Sequence, residues 1–145
     1  MNIAHRIATA FANMLIGQNL PGDPTIVSAL SSDLNEETQS RLIIVGDSAD
    51  LYKTNLPGLY SIKGRINVIE SLDADDGEAR FNAICRAMED FMGLKSEIPE
   101  LVSMQDPTLH LYTYNFIGSM PGIATRRLMA SYQWDALARQ TPNSN

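Results

Sequence analysis

The hydrophobic pattern changes its period between residues 58 and 92, and this change constrains the fold more than any other feature. Apolar and polar residues first alternate, which is typical of a strand with one buried face. The apolar positions are Tyr60, Ile62, Ile66 and Val68, and the polar positions are Ser61, Lys63, Arg65 and Asn67. The alternation predicts a long strand over residues 58–71, with Gly64 as a candidate bulge site.

Apolar residues then recur at helical spacing and predict an amphipathic helix that ends at Gly93. These residues are Phe81, Ile84, Cys85, Met88, Phe91 and Met92. Asp75 precedes the run and Glu78 follows three residues later, so we expect Asp75 to cap the helix. A half-buried strand followed directly by an amphipathic helix indicates a fold that combines both kinds of element.

The sequence before the long strand predicts one helix and two short strands. Apolar residues at spacings of three and four predict a helix over residues 2–16 that ends at Gly17. Two prolines and a glycine make segment 18–24 a connector. Apolar runs predict short strands at 25–30 and 42–45, and the polar run between them predicts a loop or a short helical turn.

The sequence after the central helix predicts a C-terminal hairpin. Two prolines limit residues 94–107 to a helical turn. A strand at 108–117 is expected to be covered on both faces, and a turn at 118–122 leads to a strand at 124–138. One face of the first strand would hold His110, Tyr112, Tyr114 and Phe116, and the other Leu109, Leu111 and Ile117. The apolar face of the second strand would hold Leu128, Ala130, Tyr132, Trp134 and Ala136.

The predicted elements follow one another in the order α-β-β-β-α-β-β. Because strands and helices do not alternate as in parallel βαβ units, this order predicts an α+β fold. We expect a mainly antiparallel sheet with helices packed on one face. A chain of 145 residues can form one hydrophobic core, so we expect a single domain over residues 1–139 and a short polar tail at 140–145.

The charge balance and the single cysteine argue against several classes of protein. A formal net charge of −6 and a pI near 4.7 argue against a general nucleic-acid binder, which needs concentrated basic charge. The sequence has no apolar run long enough for a membrane span. Cys85 has no second cysteine for an internal disulfide, and the first residues do not resemble a secretory signal. We therefore expect synthesis in a reducing cytoplasm.

Gly46-Asp47-Ser48 is the segment that most suggests catalysis. A Gly-Asp-Ser block after an apolar strand resembles the nucleophile block of GDSL-type esterases. Such a serine needs a base within hydrogen-bond reach and a carboxylate that orients the base. The sequence lacks the leucine after Ser48 and a late Asp-x-x-His block. We therefore expect a turn that ends the strand 42–45, and a small esterase using Ser48 is the less favoured alternative.

The remaining reactive side chains predict no catalytic, cofactor or metal site. His5 and His110 are far apart in sequence, and neither has a His or Cys at metal-ligand spacing. Helix capping explains the acidic segment 73–78 better than calcium binding, because an EF-hand loop would need a glycine and a glutamate where Glu78 and Ile84 stand. Cys85 is expected to pack in the helix stripe. The glycines near residue 120 lack the lysine of a phosphate-binding loop.

The segment from Leu59 to Met92 joins a Gly-Leu-Tyr-x-Ile strand, continued by Ile66-Asn67-Val68, through Ala74-Asp75-Asp76 to an amphipathic helix. This arrangement resembles bacteriophage tail terminator proteins. The resemblance extends to the N-terminal amphipathic helix and to a C-terminal hairpin with the basic start Arg126-Arg127-Leu128.

This resemblance implies a structural virion protein that needs no catalysis. Identical subunits of that family form a closed ring, expected to be a hexamer, which stops polymerisation of the tail tube. The implied partners are other copies of the chain, the tail tube protein and the head-side connector, with no membrane and no sequence-specific nucleic acid. The implied location is the tail or neck of the virion, after synthesis in the host bacterial cytoplasm. The main alternative is another phage neck or head-to-tail adaptor protein.

Overall fold

The computed structural model describes residues 3–29, 41–51, 58–71, 76–94, 96–124 and 127–141. The helices are α1 (Ile3–Ile16), α2 (Gly77–Met92) and α3 (Ile98–Gln105). The strands are β1 (Thr25–Ala29), β2 (Arg41–Leu51), β3 (Leu59–Ser71), β4 (Leu109–Ala124) and β5 (Arg127–Gln140). The predicted α+β fold is confirmed, and α3 is a complete helix where only a turn was expected.

The five strands form one sheet in the order β1-β2-β3-β5-β4. β1 pairs with β2 in parallel, and the other three pairings are antiparallel. This arrangement confirms a mainly antiparallel sheet. β3 and β5 each have a neighbouring strand on both sides, whereas β1 and β4 are the edges among the described strands.

β2 contains Gly46-Asp47-Ser48 and does not end there. Its pairing with β3 shifts between Gly46 and Ser48, and regular pairing then continues to Leu51. An extra residue in one strand produces such a bulge without ending the strand. The predicted turn is therefore wrong. The bulge predicted at Gly64 has its extra residue in the partner strand β2, between the pairs Gly46–Gly64 and Ser48–Lys63, while Gly64 pairs with Trp134 in regular register.

The C-terminal hairpin is longer than predicted. β4 continues to Ala124, which pairs with Arg127 of β5, so the predicted turn at 118–122 is wrong. Glycine and proline are tolerated here because β4 is an edge strand, and one side of its backbone has no ladder hydrogen bonds to lose. Gln140 pairs with Leu109, so β5 includes the residue at which we expected the tail to begin.

Two bulges in β4 determine which of its side chains face the core. The pairing with β5 shifts once around Tyr112 and again around Ile117. Each shift reverses the alternation of side chains between the two faces. The side chains of Leu109, Leu111 and Tyr114 are buried, whereas those of His110, Tyr112, Thr113, Asn115 and Ile117 are exposed. The expectation that both faces are covered, with His110 and Tyr112 beside Tyr114, is therefore wrong.

The helices pack on one face of the sheet around an aromatic cluster. The ring centroid of Phe11 in α1 lies 5.0 Å from that of Trp134 in β5. The same ring lies 6.1 Å from Phe91 of α2 and 6.2 Å from Tyr114 of β4. Phe11 and Trp134 are both fully buried. One aromatic side chain therefore contacts a second helix and two strands.

The predicted apolar faces of the central helix and the last strand are confirmed. In α2 the buried side chains include Phe81, Ile84, Met88, Phe91 and Met92, while Cys85 is half-buried. In β5 they are Ala130, Tyr132, Trp134, Ala136 and Ala138, and Leu128 packs against them. The predicted face of the long strand is confirmed at Ile62, Ile66 and Val68, which are fully buried.

Gly64 is required by close packing and not by backbone conformation. A Cβ atom placed on Gly64 would overlap the Trp134 indole, lying 2.6 Å from its Cε2 atom. Carbon atoms in contact are normally about 3.5–4.0 Å apart, so no side chain fits between β3 and this ring. The glycine allows Trp134 to lie flat against its neighbouring strand.

The start of α2 differs from the predicted capping box. The N-cap is Asp76, which has a left-handed backbone with φ 58° and makes no side-chain capping hydrogen bond. Asp75, the predicted cap, and Asp73 lie outside the described residues. At the other end, the Gly93 amide donates a hydrogen bond to the Glu89 carbonyl, so the helix ends where predicted.

Replacing Ile84 with Asp tests the buried face of α2. Ile84 is fully buried, and an unpaired carboxylate there should destabilise the protein by several kcal/mol, enough for unfolding or insolubility. The matched control is Asn82→Asp at an exposed position two residues away, which should keep the parent melting temperature. A parental melting temperature for Ile84→Asp, together with a sharp loss in Glu89→Ala, would show that the buried face is assigned incorrectly.

Replacing Gly64 with Ala tests the packing of Trp134. The added methyl group must displace the indole or the strand, so the free energy of unfolding should fall by about 1–3 kcal/mol. Gly17→Ala is a matched control, since a Cβ there would meet its nearest atom at an ordinary 3.5 Å. Chemical denaturation of both variants measures the difference. Equal stability of the two variants would contradict this account of Gly64.

Candidate protein interface

The sheet face that points away from the helices carries polar and charged side chains. In β3, Ser61, Lys63 and Arg65 alternate with core residues and therefore point to this face. The same alternation and the strand pairing add His110, Thr113 and Asn115 of β4 and Gln133, Asp135, Leu137 and Arg139 of β5. These residues are half-buried or exposed, and we call the surface they form the open face.

Cross-strand contacts order the open face. Lys63 pairs with Asp135, which pairs in turn with Asn115. The Asn115 Nδ2 atom donates a hydrogen bond to Asp135 Oδ1 at 3.0 Å. One row further along, the Leu137 amide donates to Thr113 Oγ1 at 3.1 Å. The open face is therefore a structured polar surface next to an edge strand.

The β4 edge adds apolar groups to this surface. Tyr112 and Ile117, the two bulge residues, are 53% and 57% exposed. Bulges protect an edge strand against uncontrolled pairing, and they also aim side chains outward. Large exposed apolar side chains beside a polar surface are typical of protein contacts. The open face and the β4 edge together are the candidate interface.

An ion pair between a buried carboxylate and a half-buried guanidinium holds α2 to the sheet. Glu70 of β3 is fully buried and accepts hydrogen bonds from Arg80 Nε and Nη2 at 2.9 and 2.8 Å. The hydrogen bonds to Glu70 raise the pKa of the Arg80 guanidinium, so Arg80 stays charged. Its aliphatic stem covers Gly22, where a Cβ would lie 2.7 Å from Arg80 Cγ. The pair therefore fixes the first turn of α2 against β3 and the α1–β1 connector.

A second polar cluster joins α1 to the α3–β4 junction. Arg6 Nη1 lies 3.5 Å from Asp106 Oδ2 and 3.4 Å from Thr108 Oγ1. Asp106 also accepts hydrogen bonds from the Thr108 hydroxyl and backbone amide, at 2.7 and 3.1 Å. Partial burial alone would raise the pKa of Asp106, but these donors and the charge of Arg6 outweigh it and lower the pKa. The cluster is structural, since its groups satisfy one another.

The structure does not bring Ser48 together with His110. Ser48 lies inside β2 and pairs with Lys63, whereas His110 pairs with Arg139. The two positions are three strands and about four residues apart, so their Cα atoms are separated by roughly 20 Å. Direct proton transfer needs contact at hydrogen-bond distance. His110 is therefore too far from Ser48 to act as its base.

His5 and Cys85 are placed by packing. His5 is a half-buried residue of α1, and its carbonyl accepts a hydrogen bond from Thr9 Oγ1 at 3.0 Å. Cys85 packs against the core, and its carbonyl accepts a hydrogen bond from the Tyr132 hydroxyl at 3.2 Å. Burial raises the pKa of the Cys85 thiol, with a smaller opposing effect from Tyr132, which disfavours the reactive thiolate.

The described residues form no metal site, and they line two shallow cavities. Within them, no three His, Cys, Asp or Glu side chains are arranged to hold a metal ion. One shallow cavity, of about 270 Å³, lies between the α1–β1 connector and the end of α2. Another, of about 240 Å³, lies beside Arg6 and Asp106. Neither is lined by Ser48, His5 or His110.

Acid unfolding should depend on Asp106. Its pKa is lower in the folded protein than in the unfolded chain, so it stabilises the fold above about pH 4 and loses this effect as the pH falls through the folded value. Asp106→Asn should lower the free energy of unfolding at neutral pH by on the order of 1 kcal/mol, with a smaller difference from the parent at low pH. Thr108→Val, which removes one donor, should raise the pH of acid unfolding. Denaturation midpoints across pH measure both effects, and a constant difference between Asp106→Asn and parent would contradict this assignment.

Ester hydrolysis should be absent, and Ser48→Ala should change nothing. A panel of short-chain esters should give no turnover above background with either the parent or the variant, because Ser48 and His110 are too far apart to form a catalytic pair. Melting curves should accompany the assays to show that the variant folds. Reproducible hydrolysis by the parent that Ser48→Ala abolishes would overturn the non-enzymatic interpretation.

No protein-family model matches this sequence, and no curated protein matches it significantly. Among the described residues, none of the helices has the length and apolar character needed to cross a membrane.

Proposed function

We propose that this protein is a structural subunit of a phage tail terminator, which forms a ring that caps the tail tube and joins it to the head-side connector. The observation that carries the proposal is the one-sided architecture. Helices cover one face of the sheet, while the open face and the β4 edge present polar and exposed apolar side chains. The resemblance of residues 59–92 to tail terminators supports the same function.

The two sheet edges suit head-to-tail assembly. β1 and β4 lie at opposite ends of the five-strand order, about 19 Å apart at the usual strand spacing. A ring of identical subunits needs unlike surfaces on each subunit and a rotation that closes, about 60° for a hexamer. The strands predicted at 58–71 and 124–138 correspond to β3 and β5, which have a neighbouring strand on both sides. Assembly would therefore involve β1, β4 and the open face.

Such a subunit acts by contact and needs no cofactor. Its partners would be other copies of itself, the tail tube protein and the head-side connector, in the tail or neck of a virion assembled in the bacterial cytoplasm. The net charge of −6 would keep free subunits soluble and apart until a tube end supplies a template. Another neck or head-to-tail adaptor would use the same surfaces with a different neighbour, and its position in the particle distinguishes the two.

A phage that lacks this gene tests the proposal. We expect tails of irregular length or tails that fail to join heads, because nothing would stop tube growth or complete the junction. Supplying the parent gene in trans should restore infectious particles, and a gene carrying Ser48→Ala should restore them equally well. Normal infectious particles without the protein would refute the proposed function.

A further inference from the structure

The outer surface of α2 and α3 is acidic. Its exposed charged residues are Glu78, Arg86, Glu89, Asp90, Glu97 and Glu100, five carboxylates and one guanidinium. The N-cap Glu97, Glu100 and Met104 follow one another at spacings of three and four, so they lie on one side of α3. Ile98 and Val102 are fully buried on the opposite side. We call Glu97, Glu100 and Met104 the α3 stripe.

The open face has the opposite charge. Among the described residues that define it, the charged ones are Lys63, Arg65, Arg139 and Asp135, three cations and one carboxylate. The carboxylate already accepts a hydrogen bond from Asn115. Lys63 is exposed, and Arg139 is half-buried beside the β4 edge. The chain has a net charge of −6, so this cationic patch is local and contrasts with the rest of the molecule.

Both surfaces also carry apolar groups. Met104 of the α3 stripe is 71% exposed, and Tyr112 beside the open face is 53% exposed. A methionine thioether against an aromatic ring is a favourable contact. The stripe from Glu97 to Met104 spans about 10 Å at helical rise. Lys63 and Arg139 lie on neighbouring strands four residues out of register, roughly 14 Å apart.

We propose that the open face of one copy of this chain binds the α3 stripe of a second copy, with Lys63 against Glu100. This contact deepens the proposed ring and rests on that function only for ring closure. The two surfaces lie on opposite sides of the subunit. A pair of bound copies therefore still has one open face and one α3 stripe that can bind further copies. Association is therefore head-to-tail and continues beyond a dimer.

Screening decides whether the local attraction or the net repulsion between copies dominates. At about 0.1 M salt the Debye length is about 10 Å, so charges spread over two acidic subunits repel only weakly. Opposite charges in contact are separated by less than this length and still attract. At about 1 M salt the length falls to about 3 Å, and the contact should weaken. Association should thus be strongest at moderate ionic strength.

A charge exchange between the two surfaces tests the contact. Sedimentation velocity at about 0.1 M salt and protein concentrations up to about 1 mM should detect parent species larger than a dimer. Lys63→Glu and Glu100→Lys should each weaken association by at least about tenfold. An equal mixture of the two variants should restore it, because each altered surface then finds an opposite charge and the unaltered surfaces match as before. Both residues are exposed, so the variants should fold, as melting curves will verify.

Arg86→Glu is the matched control. It changes the net charge as much as Lys63→Glu does but leaves the open face intact, so it should retain parental association. A parent that stays monomeric up to about 1 mM, or a mixture that does not recover, would overturn the contact. If the contact fails in this way while the gene-deleted phage still shows tail defects, the contact is wrong and the proposed function stands. If the mixture restores association but the gene-deleted phage still forms normal infectious particles, the contact is supported and the proposed function is refuted.

Discussion

The packing of Trp134 between Gly64 and Phe11 is the constraint on which the rest of the structure depends. The indole occupies the space of a missing side chain on β3, and Phe11 contacts it from α1 at 5.0 Å between centroids. Phe11 in turn contacts Phe91 of α2 and Tyr114 of β4. Because both helices meet the sheet at this cluster, they lie on the same face. On the opposite face of β3, Ser61, Lys63 and Arg65 are half-buried or exposed, while Asn67 and Ile69 are buried.

Hydrogen bonds and an ion pair also hold the helices on this face of the sheet. The Tyr114 hydroxyl donates to the Met92 carbonyl at 3.2 Å, and the Tyr132 hydroxyl donates to the Cys85 carbonyl at the same distance. The Glu70–Arg80 ion pair fixes the start of α2. Losing one partner of a buried pair leaves an uncompensated charge, so the pair strongly disfavours displacement of the helix. A layer held so firmly is suited to transmit contacts between neighbours rather than to open around a substrate.

Local sequence patterns predicted the elements whose burial follows a regular period. The alternation at Ile62, Ile66 and Val68 and the helical spacing of Ile84 and Met88 each depend on neighbours along the chain. The errors concern pairing between strands, which no local pattern encodes. The bulge in β2 stands where a turn was predicted at Gly46-Asp47-Ser48, and β4 continues its pairing through the turn predicted at 118–122. The bulges at Tyr112 and Ile117 expose side chains of the strand that was expected to be covered on both faces.

Two signals for the missed features were present in the sequence. Pro99 is one of the two prolines that were expected to limit helix formation in residues 94–107. It occupies the first turn of α3, where the missing amide hydrogen costs no helical hydrogen bond. Glu70 continues the buried alternation of β3, and a carboxylate at such a position requires a partner. Arg80, ten residues later on α2, is that partner. The bulges of β4 expose the side chains of Tyr112 and Ile117, and the orientation of α3 exposes that of Met104. The composition of the sequence does not indicate these exposed positions.

The central claim is that this protein acts by assembling at the end of a tail tube. A density map of intact particles tests it most directly, because the fold has a recognisable five-stranded sheet with helices on one face. The account predicts a closed ring of copies between the tube and the head-side connector, with helical layers facing open sheet faces around the ring. Density for this protein at the distal tip of the tail, or inside the capsid, would contradict the account.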